Sequence, residues 1–296
     1  MIGAESLDHI AIPTRDLPRS EKFYLEVVGL TFLTQRKNAN GSPRHTYVTA
    51  GDNIVGLTLP GVQLPPSPTG APRYALAQTD DAFQAAIDRL KTTTVKCAEI
   101  QPPANSPFLR SFHFDDPDDN HIELCVRRQP LPVKVGLSHV IFETTNITRA
   151  IRFYTQALGL KRAGEICGET LFEFPNGQML GVKEVPELSQ RTKKKGRACH
   201  VAFNVSQEDF APMVSLIPTL GGRSLGDFRA SDGLRAPGER SIYFFDPDTN
   251  YLQITALGDE DWSLMSDDEK WNRTIANREK QGKGISRFDK GVKIEK

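Results

Sequence analysis

Charge of one sign is missing from this 296-residue sequence, in which 37 basic side chains stand against 37 acidic ones. Without net charge there is no general electrostatic pull toward nucleic acid or a membrane surface, and neither is expected as a partner. Long apolar runs are missing too. None approaches the ~18 residues that a membrane-spanning helix needs, and no leader with a charged start and an apolar middle opens the chain. The expectation is a soluble, cytoplasmic protein. Cysteine is scarce, with only Cys97, Cys125, Cys167 and Cys199. No two of them form a C-x-x-C pair, which argues against a zinc ribbon or a dithiol redox site. So few cysteines in so long a chain also argue against a disulfide framework. The one basic run, Lys193 to Lys195 with Arg191 and Arg197 beside it, reads as a solvated loop.

What the sequence has is repetition. LDHIAIPTRDLPRSEKFYLEVVGL, from Leu7 to Leu30, matches LSHVIFETTNITRAIRFYTQALGL, from Leu137 to Leu160. SFHFDDPDDNHIELCV, from Ser111, matches SIYFFDPDTNYLQITA, from Ser241. Both matches lie at an offset of 130 residues, so residues 1–130 and 131–260 read as two copies of one α+β domain. Each copy divides again. An alternating strand at Leu7–Ile12 leads to an amphipathic helix from about Leu17 to Val28, stopped by Gly29, and then to strands near Phe32, Tyr47 and Val55. A strand at Arg73–Gln78, a helix near Asp81–Lys91 and strands near Val95, Phe112 and Ile122 repeat that order. The DPDDN and DPDTN segments are turns between the last two strands of their modules. The chain thus reads as four βαβββ modules, with Arg127–Gly136 as the linker between copies. Residues 261–296 form a polar tail in which Ser266 or Asp267 can cap a helix running to about Lys280.

Strand direction selects the chemistry-bearing residues, because positions two apart share a face. His139 and His200 sit at the starts of first strands in the second copy, and Gln253 lies on its last strand. Two imidazoles and an oxygen suit a divalent transition metal with positions left open for substrate. In the first copy the matching positions hold His9, Arg73 and Glu123. A guanidinium cannot bind a metal, so Arg73 is expected to sit beside Glu123 and supply the positive charge instead. A different grouping of His9, His113, His121 and Glu123 is the competing reading there. Cys199 points away from its neighbour His200 and reads as core.

The L-x-H opening, the helix ending FYxxxLGL, the H-x-A-F strand and the F-x-DPD-x-N turn together resemble the vicinal oxygen chelate superfamily. That superfamily includes glyoxalase I, fosfomycin- and bleomycin-resistance proteins, and extradiol dioxygenases. The resemblance covers about residues 5–257 and implies two tandem half-open barrel domains of paired βαβββ modules. It implies a metal held by His139, His200 and Gln253, or by His9 in place of His139 where modules pair across the two copies. Fe(II) is the favoured ion, with Mn(II), Zn(II) and Ni(II) as the other candidates. Four modules resemble a two-domain extradiol dioxygenase whose first domain has lost its metal, with Tyr243 at the position of an active-site tyrosine. Two departures weigh against ring cleavage. Gln253 stands where glutamate is usual, and no further histidine follows His200; the stretch Asp227–Arg240 offers Arg229, Arg235, Glu239 and Arg240 instead. A glyoxalase-like isomerase or lyase and a metal-free binding protein of the resistance type are therefore the alternatives. In each case a small molecule is the expected ligand. Self-association through the tail, near Trp262–Ser286, is a further expectation. Pocket walls are expected from Pro60–Pro72 and Gln101–Ser106.

Overall fold

The computed structural model describes residues 2–38, 40–59, 64–132, 136–194, 199–228 and 240–256. Four βαβββ modules follow one another as the repeat predicts. The first holds β1 (Ala4–Pro13), α1 (Leu17–Lys22), β2 (Thr31–Lys37), β3 (Pro43–Ala50) and β4 (Asn53–Thr58). The expected helix to Val28 is present, but its second half, Phe23–Val28, is wound as a π-helix. The second module holds β5 (Arg73–Ala77), α2 (Asp80–Lys91), β6 (Cys97–Ile100), β7 (Phe108–Asp115) and β8 (His121–Arg127). The third holds β9 (Gly136–Thr144), α3 (Ile147–Gln156), β10 (Lys161–Ile166), β11 (Glu169–Glu173) and β12 (Met179–Glu184). After a short α4 (Gln190–Lys194), the fourth holds β13 (Val201–Val205), α5 (Gln207–Thr219), β14 (Arg223–Phe228), β15 (Arg240–Phe245) and β16 (Tyr251–Ala256). No helix among the described residues is long and apolar enough to cross a membrane. The tail expected to carry a helix and a contact between copies lies outside the described residues.

Local chemistry explains the module helices. Asp16, Thr79, Asn146 and Ser206 each cap one, accepting a hydrogen bond from the backbone N–H three residues on. Gly29 and Gly159 end the first and third helices in the left-handed region, at φ +90° and +64°. At Gly159 a side chain is excluded twice over, because a Cβ there would lie 2.1 Å from the Ile2 carbonyl oxygen.

Each sheet has eight strands. One runs β14-β15-β16-β13-β1-β4-β3-β2 and the other β10-β11-β12-β9-β5-β8-β7-β6. The first module therefore shares a sheet with the fourth, and the second with the third. Neither sheet coincides with a sequence half. The linker accounts for this: only residues 128–135 separate β8 from β9. That short span keeps the third module beside the second, where β9 pairs antiparallel with β5. β1 and β13 are left to pair with each other.

One apolar core joins residues of both sheets and of all four module helices, among them Phe83, Phe153, Phe203 and Phe210. The helices thus lie between the sheets, and each sheet turns its other face away from them. The most recognisable repeated motifs serve this core. The hydroxyl of Tyr24, from the FY pair, donates to Asp116 at 2.7 Å, and that of Tyr154 donates to Asp246 at 2.6 Å. Thr14, Ser20, Arg15 and Arg19 donate to Asp118; Thr144, Thr145 and Arg149 donate to Asp248. Each DPD turn thereby ties the two modules of one sequence half across the helix layer.

Burial pushes the Asp118 carboxyl up, but the hydrogen bonds from Arg15, Ser20 and Thr14 outweigh it and hold the group at about 2. An acid depressed on folding stabilises the protein above its ordinary range near 3.8, and the gain is lost as pH falls through about 2. Asp118→Asn is expected to lower stability at pH 7 by about 1.5–3 kcal/mol. In denaturant titrations the gap to the parent protein should narrow between about pH 4 and pH 2; a gap independent of pH would contradict the role given to the carboxylate. Asp116 works in the opposite sense. Burial raises it to about 6 despite bonds from Asn120 and Tyr24, so its own contribution is present below about 3.8 and is lost as pH rises through about 6.

The basic segment departs from expectation. Arg191 is buried in α4, not solvated, and donates to the carbonyls of Leu64, Pro65 and Asp118 and to Asn120 Oδ1. It pins Leu64 and Pro65 of the Pro60–Pro72 segment to the DPD turn.

Candidate metal centre

The two outward faces carry equivalent positions with different chemistry. On the sheet shared by the first and fourth modules, β1 and the start of β13 lie side by side. Ala11 N–H donates to the His200 carbonyl and His200 N–H donates to the Ala11 carbonyl. His9 pairs in register with Ala202, which pairs on its far side with Gln253. Tyr243 lies opposite Gln253. His9, His200, Gln253, Tyr243 and Tyr251 therefore share one face.

The two imidazoles approach one another closely. His9 Nε2 and His200 Nε2 are 2.9 Å apart. Two nitrogens each about 2.0–2.1 Å from one ion, at right angles around it, would lie about 2.9 Å apart. Asp8 Oδ2 lies 2.5 Å from His9 Nδ1. A proton held there leaves the Nε2 lone pair aimed into the site, the usual way a carboxylate orients a ligand imidazole. Gln253 is 5% exposed, and its side-chain oxygen has no hydrogen-bond partner. A buried acceptor left without a donor costs about 1–3 kcal/mol, and a cation held by the two imidazoles on the same face is a partner it could take. Among the described residues no group of three or more His, Cys, Asp or Glu side chains is arranged to hold a metal ion. The set reaches three donors only through the Gln253 amide oxygen. On the other side of β1 the matching position is Gly56, in register with Ala11, and it brings no fourth donor.

Aromatic rings complete this face. His200 meets Tyr243 edge-on at 5.0 Å and Tyr251 at 5.9 Å, and the two tyrosines stack at 5.4 Å.

His139 is not part of this group. It lies on β9 in the other sheet, so the expected set of His139, His200 and Gln253 is not brought together; pairing across the copies puts His9 in its place. His139 Nε2 instead lies 3.1 Å from Glu123 Oε2. Arg73, 7% exposed, donates through Nε to Glu123 at 2.7 Å and grips Glu169 with both terminal nitrogens at 2.9 and 2.8 Å. Ser111 donates to the other Glu123 oxygen at 2.8 Å. Burial pushes Glu123 up, but His139 and Arg73 outweigh it and hold the carboxyl well below its ordinary range. Arg73 sits beside Glu123 as the sequence implies, and it saturates the carboxylate that a metal would need. The competing group of His9, His113, His121 and Glu123 is not assembled, because His9 is on the opposite sheet. The other three do cluster: His121 Nε2 lies 3.3 Å from His113 Nδ1, and His113 Nε2 lies 3.4 Å from Glu123.

Asp8, Tyr251 and Glu169 were not singled out from the sequence. The repeat could have flagged two of them, since Asp8 stands opposite Ser138 and Tyr251 opposite His121 at the common offset. Ser138 Oγ takes the place of Asp8, 3.2 Å from His139 Nδ1. Cys199 is fully buried, as expected of a core residue. Arg240 lies over the Phe210 ring at 4.4 Å, while Arg229, Arg235 and Glu239 fall outside the described residues.

Comparison with known proteins agrees with this architecture. Glutathione transferase FosA of Serratia marcescens is 31% identical over 124 residues, which is 41% of this chain and 81% of that protein. A Bacillus subtilis (subsp. subtilis str. 168) crystal structure provisionally assigned as a dioxygenase superimposes with a TM-score of 0.69 at 16% identity, covering 95% of this chain and 96% of the other. Glyoxalase I from Zea mays superimposes with a TM-score of 0.59 at 21% identity, covering 85% and 93%. Residues 6–124 match the family described as the Glyoxalase/Bleomycin resistance protein/Dioxygenase superfamily, and the chain belongs to it.

Proposed function

We propose that the chain is a metal-dependent enzyme acting on a small substrate with two neighbouring oxygens, and that its reaction is extradiol-type ring cleavage of a catecholic compound. The observation behind this reading is the 2.9 Å approach of His9 Nε2 to His200 Nε2 beside the unpartnered Gln253 oxygen. These three groups would hold the ion, Fe(II) by preference, since two imidazoles and one oxygen with open positions suit ferrous oxygenase chemistry. When bound, the ion supplies a Lewis acid that gathers adjacent substrate oxygens and favours their deprotonated form.

The protein's own part is positioning. Asp8 fixes the His9 ring. The stacked Tyr243 and Tyr251 offer an aromatic wall suited to a planar ring, and the Tyr243 hydroxyl is assigned to hydrogen-bond one substrate oxygen. Ala11, Ala202 and Gly56 keep the same face low and leave room for that ring.

Gln253 favours a second reading. Three neutral donors leave the ion's charge undiminished, which suits a glyoxalase-like isomerase or lyase working by Lewis-acid polarisation. One set of measurements separates these readings from metal-free binding. Protein purified without chelators and loaded with Fe(II) is offered catechols under oxygen. Ring cleavage predicts a yellow product with matching oxygen uptake. Retained metal with neither signal rejects the dioxygenase and leaves the isomerase or lyase; failure to retain any divalent metal rejects both.

A further inference from the structure

We infer that the second barrel face binds a small organic anion with an apolar body, independently of the proposed metal centre. The observation is a cleft of about 430 Å³ on that face, within the range of about 300–1,000 Å³ usual for small-ligand pockets. Its lining includes Arg127, Arg128, Lys161 and Arg162 against a single carboxylate, Glu173. Its floor is apolar, with Ile166, Leu171 and Met179.

The cations are not consumed by the fold. Arg127 donates to the Gln129 and Gly177 carbonyls and to the Ser138 hydroxyl. Arg128 donates to the carbonyls of Ser106 and Ala104. Both guanidiniums are thus held in place by neutral oxygens, and no ion pair to a carboxylate is made by either among the described residues, although the Glu173 charge acts on Arg127. Arg127 also lies 5.7 Å from the Phe108 ring, which in turn packs on His139 at 4.6 Å. Lys161 and Arg162 are exposed at the sheet edge on β10. Fixed cations above an apolar floor select a ligand with a carboxylate or phosphate at one end and a hydrocarbon at the other. The Gln101–Ser106 segment, expected to supply a pocket wall, borders this cleft through Asn105 and Ser106.

Calorimetric titration of the full chain with benzoate and with phenyl phosphate tests the inference, with phenol as the neutral control. The two anions distinguish a carboxylate ligand from a phosphate one. At least one anion should bind saturably, about tenfold or more tighter than phenol, and should weaken as salt rises. Lys161→Glu with Arg162→Glu, both exposed changes, should weaken it about tenfold or more, while His200→Ala leaves it unaltered. Anion binding no tighter than phenol, insensitivity to salt and charge reversal, or loss in His200→Ala would each overturn the inference. The last outcome would place the anion at the metal-bearing face. A result here does not depend on whether the protein cleaves catechols.

Discussion

Replacing Arg73 by methionine should destabilise the protein by about 3–5 kcal/mol, the usual cost of leaving a buried charge without its partner. The guanidinium is the cation between Glu123 and Glu169, and Glu123 is 2% exposed. Without it two carboxylates face each other across a region that admits little water, with His139, His113 and Ser111 left near Glu123. The loss should be largest at neutral pH. A carboxyl depressed on folding contributes above its ordinary range and loses the contribution as pH falls below it, which is the direction for Glu123. Adding Glu123→Gln should return much of the stability, because a buried pair replaced as a whole costs far less than a pair broken. Denaturant unfolding of the single and double variants measures both effects. A single variant within about 1 kcal/mol of the parent would show that Arg73 is not compensating buried charge.

The same cluster shows what the sequence could and could not disclose. Module order, helix positions and the DPD turns were legible because each rests on a local pattern: a cap, an apolar period, a turn-forming run. The juxtaposition of Arg73 and Glu123 was legible because both belong to one module, on paired strands β5 and β8. Glu169 was not, since it reaches Arg73 from β11 of the neighbouring module. The partner of His200 was hidden for a related reason. β1 and β9 open with nearly the same residues, so the local pattern fits either strand beside β13. The choice is made by the short linker and by contacts between distant segments, such as Ala4 N–H donating to the Leu158 carbonyl at 2.8 Å. No periodicity reports those. The strongest motifs, FY and DPD, turned out to hold the helix layer together, while the residues with chemistry sit on quieter parts of the strands.

His9→Ala and His139→Ala form the sharpest pair of variants, because the histidines occupy equivalent positions in the repeat and differ only in the sheet they join. His9 faces His200 at 2.9 Å, whereas His139 faces Glu123 at 3.1 Å. Removing His9 takes one donor from the proposed centre. Removing His139 takes a hydrogen-bonding partner from Glu123 and should lower stability, leaving His9, His200 and Gln253 in place.

Metal content of the two variants and the parent, each loaded with Fe(II) and freed of excess under identical conditions, tests the central claim directly. The parent and His139→Ala should retain about one ion per chain, and His9→Ala should lose affinity about a hundredfold or more. Retention by His9→Ala with loss in His139→Ala would contradict a centre built between the first and last modules.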